Sequence, residues 1–297
     1  MKSTTARQVA LSVALVAALT GVAACGSQKA DKAVANLTPL AALRSAEKST
    51  DKAESAKVRS STTIGDTMSM TANGALTWGG GLKGNLTITY TGGKLAEAMR
   101  RAGAASMQAR YLPDAYYAKM SEQFAQQSGG KHWIRYAYDD LAKLGGGSGA
   151  YMKDQMQNTT PNQSVKLLLA SGDVKKAGEE TVSGVHTTHY SGTVDVADLA
   201  GKNGNLGAGQ LADLKKQLSQ AGVTTETVDI WINDQSLLVK KVEKAQMATG
   251  AMTSTAYYSD YGVRVTAVAP PASDTKDFKD LMKSSRGDAA SGSGISS

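Results

Sequence analysis

The sequence predicts an α+β fold built on one antiparallel sheet with helices laid on one face. Three observations lead there. Runs with a period of two recur along most of the chain, and most are joined by short turns rather than crossover helices. Helical periodicity is confined to a few separated stretches, and no repeat or break in composition divides the chain into two domains. The 297 residues are 41% hydrophobic and 20% charged, the balance of a globular chain.

Residues 39–56 read as a helix. Thr38 can cap it, Pro39 suits its first position, and Leu40 and Leu43 share one side. From about residue 57 the period changes to two. Met68, Met70, Ala72, Leu76 and Trp78 alternate with polar residues, which predicts a long strand with one apolar face. Gly79–Gly81 turns the chain, and Leu82, Leu86, Ile88 and Tyr90 repeat the alternation as the second arm of a hairpin. Strands at 105–112 and 115–120 flank the turn pair Pro113-Asp114. Residues 121–135 read as an exposed stretch around Gly129-Gly130, followed by Trp133-Ile134.

Asp139-Asp140 opens a short helix ending at Gly145, and 145–149 is a glycine-rich flexible loop. Thr160-Pro161 starts a helix carrying Val165 and Leu167–Leu169, with Gly172 as its stop. Strands at 174–182 and 185–196 meet at Ser183-Gly184. A helix at about 208–220 places Leu211, Leu214 and Leu218 at spacings of three and four and stops at Gly222. Val228, Ile230 and Ile232 form the clearest strand, which turns at Asn233-Asp234. Strands at 236–248, 251–259 and 263–268 complete the series, and Pro270-Pro271 ends the sheet. A short helix at 274–283 carries Phe278 and Leu281. Ser284–Ser297 is rich in Ser and Gly and reads as a disordered tail.

The first residues read as an address and an anchor. Lys2 and Arg7 precede an apolar run from Val9 to Leu19, which is shorter than the roughly 20 residues a bilayer span needs but matches the apolar part of a signal peptide. Small residues then lead to Cys25, the chain's only cysteine, in the order Val22-Ala23-Ala24-Cys25. This resembles a bacterial lipobox, with Val22 where Leu is commonest. The resemblance implies that 1–24 is removed and Cys25 is lipidated. Two acyl chains would hold the protein at the extracytoplasmic face of the cell membrane. Residues 25–38 are then a tether, 39–283 a single domain and 284–297 the tail. Removing 1–24 leaves 31 basic against 26 acidic side chains, a net +5. Lys175-Lys176, Lys215-Lys216 and Lys240-Lys241 are scattered pairs, and the modest positive charge suits weak attraction to an anionic membrane surface, or else simple solubility. The pairs form no basic patch interleaved with aromatics, so nucleic acid is not an expected partner.

No enzyme signature stands out. His186 and His189 lie three apart in a strand-like run and so on opposite faces, a poor metal pair. His132 beside Trp133 reads as a surface or packing residue. Ser45–Lys48 and Ser49–Lys52 spell Ser-x-x-Lys without the companion motifs of penicillin-binding enzymes. The glycine loop at 145–149 lacks the preceding strand and following helix of a phosphate site. Arg286-Gly287-Asp288 sits in the tail, and adjacent Asp139 and Asp140 diverge rather than pair. No catalytic residue, metal or cofactor is expected.

The Cys25 lipobox, the helix before the first hairpin, the Trp133–Leu144 block and the closing stretch resemble the actinobacterial LppX/LprA/LprF/LprG lipoproteins. The closing stretch comprises Thr227–Asn233, Leu237–Val242, Tyr258–Gly262 and Ala269-Pro270-Pro271. These lipoproteins are similar in fold to the lipid carriers LolA and LolB. The resemblance implies a strongly curved antiparallel half-barrel with helices on its concave face and an apolar cavity between them. It implies a lipid or acylated glycolipid as ligand, for carriage or envelope assembly, and an envelope transporter or protein as partner. Few bulky side chains and many Ala and Met fit an underfilled sheet face. The cavity residues put forward are Leu40, Leu43, Met68, Met70, Leu76, Trp78, Leu86, Ile88, Tyr90, Val228, Ile230 and Ile232. The alternative is an envelope interaction or sensor lipoprotein that uses the same scaffold with a core filled by its own side chains.

Overall fold

The computed structural model describes residues 37–143, 153, 160–171, 173–197, 208–247 and 250–283. The segment 1–36 with Cys25, the loop at 145–149, Gly172 and the tail from Ser284 lie outside these residues.

Helix α1 (Pro39–Ala53) starts as its sequence dictates. The Thr38 hydroxyl accepts from the Ala41 amide at 3.3 Å, and Pro39 sits in the first turn. Ala42, Leu43, Ala46 and Thr50 form its inward stripe. The alternating run beyond it is two strands, β1 (Ser55–Ile64) and β2 (Met68–Thr77), because Gly65 adopts φ 43° and turns the chain between them. The turn at Gly79–Gly81 leads to β3 (Lys83–Gly92). Strands β4 (Ser106–Tyr111) and β5 (Ala115–Lys119) follow as expected.

Two helices interrupt stretches that carried no helical prediction. They are α2 (Gly93–Arg101), which lies against β2 and β3, and α3 (Glu122–Gln127), capped by the Ser121 hydroxyl. Both are short and expose most of their surface, so neither has the apolar period that marks a helix in sequence. Next come β6 (Trp133–Ala137) and α4 (Tyr138–Ala142), the latter opened by Asp139 and Asp140.

In the second half, α5 (Pro161–Ala170) precedes β7 (Lys175–Val182) and β8 (Val185–Asp195). Helix α6 (Ala208–Gln220) precedes β9 (Thr225–Asn233), β10 (Leu238–Met247) and β11 (Gly250–Ser259). All these strands and β12 (Thr275–Asp277) join one twelve-stranded sheet, ordered β12-β6-β5-β4-β3-β2-β1-β11-β10-β9-β8-β7. Two meanders therefore meet at a single seam, where β1 pairs antiparallel with β11 over eight residue pairs.

The end of the chain departs from the sequence reading. Residues 263–271 form no strand, since both edges of β11 are already taken by β1 and β10. They cross the outer face instead, where Asn85 Nδ2 donates to the Thr266 carbonyl (2.8 Å) and Arg110 Nη1 to that of Val268 (3.0 Å). The sheet does not end at Pro270-Pro271. A 3₁₀ turn (Ala272–Asp274) delivers β12 (Thr275–Asp277), which pairs parallel with β6, and a helical turn at 278–283 follows. His132 helps to fasten this edge. Its Nδ1 lies 2.7 Å from Asp274 Oδ1 and its Nε2 3.0 Å from Glu122 Oε2.

Side chains pack in two main clusters on the concave face. One joins α1, α5 and α6 to β8–β11. The other lies on β2–β5 with Tyr138 and Leu141 of α4. Helix α5 is buried around most of its circumference, as a central helix must be. It seats closely on β8 because Gly192 has no side chain; a Cβ there would lie 2.6 Å from Ser171 Oγ and 2.8 Å from Leu168 Cδ1. Gly74 plays a similar part between β2 and β3, where an added Cβ would sit 2.0 Å from the Asn85 carbonyl oxygen.

Gly74→Ala is expected to force β2 and β3 apart and to lower stability by about 2–3 kcal/mol, read as a reduced urea midpoint. Gly209→Ala, in α6 with nothing within 4 Å of the added Cβ, should be neutral or mildly stabilising.

Candidate ligand-binding cavity

A cavity of about 460 Å³ lies between the sheet and the helices, a size typical of small-molecule sites. Its floor is the concave face at the seam. Even-numbered residues of β1, β2, β3 and β11 point into it, as the period of two requires. Its roof is α5 and α6, through Leu167, Leu214 and Leu218. The cavity occupies the gap between the two clusters and is walled by members of both. Small floor residues such as Ser60, Ala72, Ser254 and Ala256 leave this volume unfilled.

Of the residues put forward from sequence, Met70, Leu76, Leu86 and Ile88 line the cavity. Leu43, Val228, Ile230 and Ile232 lie in the packed core under α1 and α5, at 0–4% exposure. Trp78 packs against that core, and its Nε1 donates to the Thr50 carbonyl at 3.2 Å. Tyr90 packs against the second cluster and Met68 is half-buried at the start of β2. Leu40 is exposed at 36%, because α1 turns its Leu43 stripe, not Leu40, toward the sheet. Cys25 lies outside the described residues.

The cavity also has a charged corner that the sequence reading missed. It is formed by Glu226 of β9 with Lys241 and Glu243 of β10. Lys241 is not the solvated surface charge its place in a Lys-Lys pair suggested. Its Nζ donates to both Glu243 oxygens (3.0 and 3.0 Å) and to Ser164 Oγ of α5 (2.8 Å). Burial works against the Lys241 charge, but the Glu243 carboxylate outweighs it and raises the ammonium well above its usual range. Ser164 Oγ in turn donates to Glu243 Oε1.

A β-bulge between Leu238 and Lys240 puts the pair there. It leaves Val239 and Lys240 on the outer side, with Lys240 Nζ 3.8 Å from the centre of the Trp231 ring, and turns odd-numbered residues inward. Glu226 was the more legible of the three. It continues the inward series Val228, Ile230, Ile232 by one step of two, and a charge in that register is a polar group on a buried face. Burial first, and then the nearby Glu243 charge, push its carboxyl up to about 8, while Lys241 pulls the other way.

The histidines are spent on local contacts. His189 stacks on Trp231 at 4.2 Å and meets Asp229 at 2.8 Å, and His186 meets Asp234 at 3.0 Å. Among the described residues no group of His, Cys, Asp and Glu is arranged to hold a metal, and no helix is long and apolar enough to cross a membrane.

The Glu226 carboxyl has a pH signature. Its pKa is about 8 folded against an ordinary 4.5, so the stability tied to its protonated form is complete below about pH 4.5 and is lost as pH rises toward 8. Glu226→Gln should remove this loss and exceed the parent by about 2–4 kcal/mol at pH 8–9, with little difference near pH 4.5. Thermal unfolding across the range measures it. His132, raised by its bonds to Asp274 and Glu122, loses stability in the same direction, and the paired comparison cancels that part.

No family model matches the chain. Two curated proteins are close in sequence. The 31.2 kDa protein of the rplA-rplJ intergenic region of Streptomyces griseus is 57% identical over 84% of this chain and 82% of that protein. The Streptomyces coelicolor protein named "Putative lipoprotein SCO4650" is 49% identical over 96% of this chain and 99% of that protein. Among solved structures, LprF from Mycobacterium bovis matches 79% of this chain and 97% of its own at a TM-score of 0.49 and 15% identity. With identities of 57% and 49% over most of both partners' lengths, the chain belongs to the same actinobacterial family as the two Streptomyces proteins, one of which carries a lipoprotein's name.

Proposed function

We propose that the protein is a non-enzymatic lipoprotein, held at the extracytoplasmic face of the membrane through Cys25, that takes a lipid or acylated glycolipid into the cavity for carriage or envelope assembly. Residues 1–24 are then the signal peptide, 25–38 the tether, 39–283 the binding domain and 284–297 the tail. The observation that carries this reading is the cavity of about 460 Å³ between one apolar sheet face and two helices. Each methylene moved from water into such a space gains about 0.8 kcal/mol, so acyl chains are the natural occupants. Met70, Met247 and Met252 on its walls can adapt to chains of different shape. Met70, Leu76, Leu86 and Ile88 are the proposed acyl contacts among the residues first put forward.

The test is binding of an acyl probe tagged with pyrene at its methyl end, using the full chain carrying Cys25→Ser. The probe should bind, and Ala72→Phe, which places a ring in the cavity, should weaken it at least about tenfold while the chain stays folded. An unchanged affinity in Ala72→Phe, or no binding by the parent, overturns the reading and favours an interaction or sensor role. Separately, in cells the chain with Cys25 intact should carry covalently attached labelled fatty acid and partition into the detergent phase, and Cys25→Ser should carry no covalent label and stay in the aqueous phase.

A further inference from the structure

The charged corner says what kind of polar group the cavity accepts, an inference that rests on the cavity being a lipid site. Lys241 has three donors, and all three are engaged, two by the Glu243 oxygens and one by the Ser164 hydroxyl. Lys241 and Glu243 are 14% and 11% exposed in their side chains and balance one another's charge. Neither can turn to a ligand without leaving its partner buried and uncompensated. Glu226 differs. It lies on the cavity wall at 4% exposure, and the nearby charges that act on its carboxyl are those of Glu243 and Lys241. A carboxyl held in a largely apolar wall is poorly solvated, and a ligand that hydrogen-bonds it recovers part of that cost.

We propose that Glu226 is the polar anchor of the cavity, and that the ligand presents to it an uncharged hydroxyl or ester oxygen, as in an acylglycerol or an acylated sugar, rather than a carboxylate, a phosphate or an amine. An anionic group would sit beside the Glu243 carboxylate, and the one cation among the described residues of the cavity wall, Lys241, is already engaged. A cationic group would need Glu226 to ionise next to Glu243 in a mostly apolar wall, and would meet the Lys241 ammonium in the same corner. An uncharged oxygen leaves the corner's balance intact and gives the carboxyl both a donor and an acceptor to pair with.

The groups that share the cavity wall with Glu226 agree with this. From β10 they are Lys241 and Glu243, whose charges act on it, and from β11 the Tyr258 phenol, which burial raises. Helix α5 offers neutral Gln163, and α6 offers apolar Leu214 and Leu218. With its carboxyl pushed up to about 8, Glu226 carries its proton at neutral pH and donates a hydrogen bond.

The experiment displaces the pyrene-tagged acyl probe from the full Cys25→Ser chain with monopalmitoylglycerol, palmitate or hexadecylamine, at about pH 6.5 and about pH 9.5. At the lower pH the acylglycerol should displace at about tenfold lower concentration than either charged lipid, and its advantage should shrink at the higher pH as Glu226 ionises. Glu226→Gln, which keeps a donor and an acceptor, should retain the preference and lose its pH dependence. Glu226→Leu should lose the preference, read as the ratio of the displacing concentrations of the three lipids and so independent of how tightly the variant holds the probe. The proposal is overturned if palmitate or the amine competes as well as the acylglycerol in the parent, or if Glu226→Leu keeps the preference. Absence of probe binding in the parent overturns the cavity reading itself and is read separately from the headgroup result.

Discussion

The antiparallel ladder between β1 and β11 joins residues 188 to 202 positions apart in sequence, from Ile64 with Met252 to Lys57 with Ser259. Each meander on either side of it is local and can form from its own hairpins. Only this ladder makes them one sheet. It also aligns the inward faces of β1 and β11, so that Val58, Ser60 and Thr62 lie beside Ser254, Ala256 and Tyr258 on a common floor. Without the seam there would be two small sheets, each with an exposed apolar face and an open edge. Closing so long a loop is costly in chain entropy, and the ladder is offset by the helices it brings over the sheet.

Those helices cover the concave face unevenly. Helix α5 is buried on nearly all sides, wedged between α1 and strands β8–β10, with Leu168, Leu169 and Val165 at 0–1% exposure. Among the described residues, no equivalent helix lies on the floor over β1–β3. Protein interiors are ordinarily close-packed, so a gap of this size is a departure that small residues sustain. The same sheet is therefore a tight core at one end and a receptacle at its centre. The charged corner sits on the border. Ser164 of α5 reaches down to Lys241 and Glu243, which ties the roof to the floor at the cavity wall.

The outer face is held by other means. Lys240 lies over Trp231, Arg110 over Trp133 and Arg59 over Tyr257, so cations cover the aromatic rings that the sheet turns outward. The crossing segment 263–271 uses this polar surface as a track. It brings β12 to the edge that β6 would otherwise expose, where Lys131 Nζ donates to the Thr275 carbonyl at 3.0 Å.

The sequence by itself determined the local units. Thr38-Pro39 and Thr160-Pro161 start helices because the cap and the fixed proline φ act within one turn. Gly79–Gly81, Pro113-Asp114 and Ser183-Gly184 join strands because turns depend on a few backbone angles. The inward alternation of Met70, Leu76, Leu86 and Ile88 was legible for the same reason. Tertiary structure decided what depends on the location of neighbours. The alternating run after Gly262 found no free strand edge and became a strap. The three residues after the proline pair became a strand only because β6 was there to receive them. Val228, Ile230 and Ile232 became packed core rather than cavity wall because α5 lies on them. A single bulge at Leu238–Lys240 turned Lys241 and Glu243 inward. Shifting a strand by one residue exchanges its two faces, and nothing within the strand's own alternation announces where that shift occurs.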